Sequence, residues 1–139
     1  MAIVQKPRRT PRQKISKGLP VGARVKCTDN SGGKVLSILA VVGYKGRKAR
    51  TPSAGVGDMV VVSVKKGTPQ LRRQILTAII VRQKKPYKRK NGITISFEDN
   101  AAVLTAPTGE PKGSEIRGPI AREVAERWPR IAGASSIIV

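Results

Sequence analysis

"DMVVVSVKKGTPQLRRQILTAIIVRQ", residues 58–83, decides the fold. It carries two nearly continuous apolar runs, "MVVVSV" and "LTAIIV", rich in β-branched residues and separated by a Gly/Pro turn. Short runs of this kind bounded by turn residues read as strands. They lack the strict alternation of a sheet with one wet face, so the two strands are buried on both faces or closed into a barrel. Toward the N-terminus, "RVKCT" (residues 24–28) and "KVLSILAVV" (residues 34–42) flank the turn cluster "DNSGG" (residues 29–33), and a loop covers residues 43–57. Toward the C-terminus, Asn91-Gly92 is a strong hairpin signal, because both residues tolerate positive φ. Beyond it Ile93, Ile95 and Phe97 alternate with Thr94 and Ser96, which predicts one core face and one polar face. "AAVLT" (residues 101–105) follows a tight Asp99-Asn100 turn.

Five or six short strands are therefore expected between about residues 24 and 105, with little helix. Closure into a small β-barrel is the economical arrangement, since it removes exposed edges. Past Pro107 a polar Gly/Pro loop leads to "PIAREVAERW" (residues 119–128), which predicts one short helix. Pro119 suits its first position. Ile120, Val124 and Trp128 share one face, packing back onto the barrel, and Glu123 and Arg127 have the spacing of an i,i+4 pair. Pro129 ends it. The expected division is a basic arm over residues 1–18, a barrel over 19–105, and a loop with short helices over 106–139.

A chain of 139 residues with 39% apolar composition supports one core. Its net charge of +20, from 28 Lys and Arg against 8 Asp and Glu, exceeds what solubility requires. An anionic partner is implied, either nucleic acid or a membrane surface. No apolar run approaches the ~20 residues of a membrane span, and no basic helix has the apolar face of an interfacial anchor. Nucleic acid is the better reading, with no membrane partner.

Chemistry is sparse. The sequence has no histidine, which removes the commonest general base and the commonest metal ligand. Glu98-Asp99, the adjacent acid pair, suits turn capping more than acid–base work. "GVGD" (residues 55–58) lacks the Lys-Ser/Thr of a phosphate loop and reads as a tight lead into the next strand. Cys27 is the single cysteine, so no internal disulfide forms, and it is expected as a small buried filler. No catalytic residue, metal site or cofactor is expected.

The basic clusters carry the functional signal. The arm holds Lys6, Arg8, Arg9, Arg12, Lys14 and Lys17 and is broken by Pro7 and Pro11. It is too polar to fold alone and is expected to order on its partner. A mitochondrial targeting peptide shares this composition, but the two prolines spoil the helix that such a signal needs. The loop carries Lys45, Arg47, Lys48 and Arg50 around Tyr44, and Arg72 and Arg73 add a basic turn. The densest run is Arg82, Lys84, Lys85, Lys88, Arg89 and Lys90, directly before the hairpin turn. The candidate RNA-binding residues are Arg8, Arg9, Arg12 and Lys14 of the arm and all the cations named in the loop, the turn and the densest run, since cations along a rigid edge suit phosphate. Tyr44 and Tyr87 either stack on unpaired bases or pack at the barrel rim. At 3% aromatics a broad stacking platform is not expected, and a folded RNA shape is the better target.

Six of the eight acids, Glu98, Asp99, Glu110, Glu115, Glu123 and Glu126, lie in the last third. An acid-bearing surface is repelled by phosphate. The helix face formed by Arg122, Glu123, Glu126 and Arg127 is therefore expected to meet protein or a subunit boundary.

The residues also carry a family resemblance. "AIIV", nine residues, "NG", four residues, "F", two residues, "N", two residues and "VL" run over residues 78–104. This resembles the signature of the universal large-subunit ribosomal protein family numbered fourteen in bacteria and twenty-three in eukaryotes. "CTDNSGGKVL", "AGVGDMVVVSVKKG", "FEDNAAVL", "GEPKGSEIRGPIARE" and "WPRIA" are similar to it as well, so the likeness runs from about Leu19 to the C-terminus. "PVGA", "RQKK" and "WPRIA" resemble the archaeal and eukaryotic branch. The arm matches no family motif. The resemblance implies a mainly β fold, a five-stranded β-barrel with a C-terminal loop and short helices. It implies a structural role in the cytoplasmic ribosome, binding large-subunit rRNA and helping to form an intersubunit bridge to small-subunit rRNA. Neighbouring large-subunit ribosomal proteins and subunit anti-association factors are the implied protein partners.

Overall fold

In the computed structural model, which describes residues 15–44, 46 and 48–139, the two apolar runs form antiparallel neighbours. The described elements, in chain order, begin with β1 (Leu19–Pro20), β2 (Arg24–Cys27), β3 (Gly33–Val41) and β4 (Ser53–Ala54). They continue with β5 (Met59–Gly67), β6 (Ile75–Arg82), β7 (Tyr87–Lys88), β8 (Thr94–Ile95) and β9 (Ala101–Thr105). The C-terminal part holds β10 (Ile116–Ile120), α1 (Arg122–Arg127), α2 (Pro129–Ala134) and β11 (Ser135–Ile138). Strands β2-β3-β5-β6-β9 close into a five-stranded barrel. Four of its five junctions are antiparallel, and the barrel closes where β2 meets β9 in parallel, through Lys26 opposite Ala101 and Cys27 opposite Ala102.

The unbroken apolar runs have a direct cause. Along β6, Ala78 and Ile80 fill the barrel interior with Val25, Leu36, Ile38 and Leu104. The alternate residues Ile79 and Val81 face outward into a second core, where Val103, Ile116, Ile120, Val124 and Ile131 cover them. Strand β9 repeats the pattern, with Ala102 and Leu104 inward and Ala101 and Val103 outward. These strands are thus both closed into a barrel and buried on two faces. Each fully buried Ile or Leu contributes roughly 1.5–3 kcal/mol over exposure, so apolar burial is a large part of what holds the extension.

The extension differs from the single helix expected. Pro119 lies in β10, and the first helix begins only at Arg122. Pro129 does end α1, but it also opens α2 as its first residue, where a missing N–H is harmless. The two helices carry the chain back so that β11 pairs in parallel with β10, Ile120 opposite Ile138. Parallel pairing requires a crossover of this kind. Ile120, Val124 and Trp128 pack into the outer core as expected, but Ile120 does so from β10 and not from the helix. The Glu123–Arg127 pair is absent, because each side chain turns inward to a different partner.

The hairpin also has a longer turn than two residues. Arg89 N–H donates to Ile93 O at 2.9 Å and Gly92 N–H to Arg89 O at 3.0 Å, leaving Lys90, Asn91 and Gly92 in the loop. Gly92 alone of the three has positive φ, at 88°, the pattern of a three-residue loop closed by a left-handed glycine. Ile95 and Phe97 pack against the outer core, whereas Ile93 is exposed.

Cys27 is buried, as expected, and its thiol donates to Asp29 Oδ1 at 2.9 Å. Burial first, then the hydrogen bond and charge of Asp29, push its pKa up to about 12. Native protein should therefore resist a thiol-specific reagent at pH 8 and react stoichiometrically once unfolded, because the thiolate is the nucleophile. Rapid labelling of native protein would place Cys27 at the surface.

Candidate nucleic-acid interface

The basic run of β6 and the hairpin divides into two kinds of residue. Lys84, Lys85, Lys88 and Lys90 are exposed. Arg82 is not: it is 6% exposed. Its Nε and Nη2 donate to the two oxygens of Asp99 at 2.9 and 3.2 Å, and Nη1 donates to the carbonyls of Arg117 and Pro119 at 3.2 and 3.1 Å. A planar guanidinium suits such a bidentate pair with carbonyls beside it. Gly118 (φ +77°) makes room for it, since a Cβ there would lie 2.5 Å from Arg82 Nη1. Arg82 is thus a bolt between the barrel and β10, which corrects its assignment as a phosphate contact.

Arg89 is engaged internally too. Its Nε donates to Glu123 Oε1 at 2.6 Å and its Nη2 to Glu123 Oε2 at 3.3 Å and to Val139 O at 2.7 Å. Tyr87 O–H donates to Glu123 Oε2 at 2.9 Å. Tyr87 therefore packs and does not stack on bases, and burial together with Glu123 pushes its pKa up to about 12. Burial alone would lower the pKa of Arg89, but its bonds to Glu123 and Tyr87 outweigh this and raise it. The Glu123 carboxylate thereby pins the base of the hairpin to α1.

The remaining candidates are dispersed. Lys48 and Arg50 are exposed in the loop before β4, and Arg72 and Arg73 are exposed in the turn between β5 and β6. Tyr44 is half-buried with Lys17 Nζ 4.9 Å from its ring centroid. Arg8, Arg9, Arg12, Lys14, Lys45 and Arg47 lie outside the described residues. On the helix face, Arg122 and Glu126 point outward. Glu123, 8% exposed, does not. Arg127 donates to Gly57 O at 3.0 Å and to Asp58 Oδ1 at 3.3 Å. The outward mixed-charge face is therefore Arg122 and Glu126 alone.

Half of the acids are buried or paired with a buried arginine. Asp29, Asp58 and Glu123 are buried, and Asp99 is held by Arg82. Of the four exposed acids, Glu98, Glu110, Glu115 and Glu126, Glu110 is paired with Arg130.

Several contributors escaped the sequence reading. Gln83 is fully buried, accepting from Val56 N–H at 3.1 Å and donating to Ser16 O at 2.7 Å and Lys85 O at 3.0 Å. It fastens the end of the arm to the hairpin base, and no local pattern announces it. Arg24 and Lys26 are exposed on β2 and Lys34 at the start of β3. The alternation of Arg24 and Lys26 with buried Val25 and Cys27 was a usable signal for outward cations on β2.

Residues 18–139 match the family described as ribosomal protein L14p/L23e. The chain is 56% identical over 123 residues to the large ribosomal subunit protein uL14 of Thermoplasma volcanium, covering 88% of this chain and 93% of that protein. It is 55% identical over 124 residues to the protein of the same name from Thermoplasma acidophilum, with 89% and 94% covered. It is 56% identical over 124 residues to that of Methanococcus vannielii, again with 89% and 94% covered.

Proposed function

Because the chain belongs to the ribosomal protein L14p/L23e family and is a protein of the large ribosomal subunit, we propose that it binds large-subunit rRNA and contributes to an intersubunit bridge. It is a structural constituent of the cytoplasmic ribosome and not an enzyme. The sorting of charge carries the rRNA reading. Arg82 and Arg89 are neutralised internally, while Lys84, Lys85, Lys88 and Lys90 stay exposed along a hairpin fixed by Glu123. Lysines held on a rigid edge contact phosphate without reading bases. In this reading the arm over residues 1–18 and the barrel over 19–105 serve RNA, joined by Lys48, Arg50, Arg72 and Arg73. The extension over 106–139 serves neighbouring ribosomal proteins, small-subunit rRNA and anti-association factors.

If ~6–8 phosphates are neutralised, log K against log salt should have a slope of about −5 or steeper. A slope near zero in a titration of purified protein against rRNA would remove the phosphate contacts. For the bridge, Arg122→Glu with Glu126→Lys is the informative pair, since both side chains are exposed. Normal incorporation with altered subunit joining is expected. Failure to incorporate while folded would place this face against RNA of the large subunit.

A further inference from the structure

A second cationic feature lies away from the hairpin tip. The turn between β2 and β3 borders a concave recess of about 560 Å³, whose lining includes Lys26, Lys34 and Arg117. All three side chains are exposed. They come from three different elements, brought together because Arg117 N–H donates to Thr28 O at 2.8 Å and so seats β10 beside the end of β2.

The carboxylate in the lining, Asp29, faces inward. Its Oδ1 accepts from the Cys27 thiol at 2.9 Å, Ser31 N–H at 3.3 Å and Ser31 O–H at 2.6 Å, and its Oδ2 accepts from Leu104 N–H at 3.1 Å. Four hydrogen bonds hold it within the fold. Asn30 is likewise occupied, bonding Ser114 and the Glu115 N–H. Glu115 is exposed nearby but is not part of the lining. The recess thus presents three cations, and the one carboxylate of its lining is held by hydrogen bonds within the fold.

The recess is also joined to the hairpin. Asn100 Oδ1 accepts the Lys84 N–H at 2.7 Å, and its backbone carbonyl accepts the Lys26 N–H at 3.0 Å. One residue therefore fixes the backbones of the first hairpin lysine and of the lysine at the recess. We propose that the Lys26–Lys34–Arg117 recess is a second phosphate seat, which extends the hairpin's contact with the rRNA backbone along a continuous track. This rests on the rRNA-binding reading above. Concave, rigid surfaces of one charge sign focus the potential, and RNA phosphodiesters are the anions that repeat along such a track.

The test uses the full chain and a large-subunit rRNA transcript. Lys26→Ser with Lys34→Ser and Arg117→Ser should lower the salt slope by about 2–3 and weaken binding roughly a hundredfold near 0.1 M salt. The swap Lys26→Arg, Lys34→Arg and Arg117→Lys should retain wild-type binding. An unchanged slope in the serine variant overturns the seat. If replacing the hairpin residues Lys84, Lys85, Lys88 and Lys90 with serine still lowers the slope, the rRNA reading stands without the seat; if neither variant changes it, both fail. Reductive methylation of assembled large subunits supplies the location. Lys26 and Lys34 should be protected, and protection should vanish on ribonuclease digestion. Reactive lysines in the intact subunit, or protection that survives digestion, would mean water or a protein occupies the recess.

Discussion

Replacing Lys84, Lys85, Lys88 and Lys90 with serine should weaken binding to large-subunit rRNA about a thousandfold near 0.1 M salt, with the melting temperature unchanged. Each lost phosphate contact removes about 0.7–0.9 of a decade in affinity per decade of salt, so four contacts account for the effect. The fold should survive because all four side chains are exposed and none has a partner in the core. Arg89 is kept, since it holds the hairpin to Glu123 and its loss would mix a folding defect with a binding defect. Filter binding and a thermal melt of the same preparation separate the two. A falling melting temperature with RNA affinity intact would mean that the lysines support the fold and not the complex.

The second large effect belongs to Glu123. Its carboxylate accepts from Arg89 and from Tyr87 O–H, and the Arg89 and Glu123 side chains are only 12% and 8% exposed. Glu123→Ala leaves a largely buried guanidinium with only the Val139 carbonyl and a buried phenol without its acceptor. Removing one partner of a buried pair costs about 3–5 kcal/mol, which for a chain of this size lowers the melting temperature by on the order of 10 °C. Glu126→Ala, on the exposed side of the same helix, should change stability by less than about 0.5 kcal/mol. Equal melts for the two variants would remove the clamp. RNA affinity gives a second readout: the freed hairpin should bind more weakly although every exposed lysine is still present.

The barrel was legible in the sequence because apolar runs and turn residues are local signals. "LTAIIV" announced a strand buried on both faces or closed into a barrel, and the structure supplies both covers, the barrel interior and the C-terminal extension. The hairpin was legible from Asn91-Gly92, though the third loop residue was not. The extension was less legible, because β10 and β11 pair only after two helices have turned the chain back, and Pro119 reads locally as a helix start. The charges were the hardest. Nothing in "RQKKPYKRK" distinguishes Arg82 and Arg89 from the lysines between them. Their partners Asp99 and Glu123 lie 17 and 34 positions away, and only the folded chain brings them into contact. A run of like charge is thus partly an interface and partly internal fastening. The chemistry of arginine, with its planar fork, favours the second role over lysine wherever a carboxylate is within reach.

A density map of the assembled large subunit containing this chain tests rRNA binding most directly. Phosphate oxygens are expected within hydrogen-bonding distance of Lys84, Lys85, Lys88 and Lys90, with Arg82 and Arg89 still turned toward Asp99 and Glu123. A map with those four lysines in open solvent or against protein, and the RNA backbone on another face of the barrel, would contradict it.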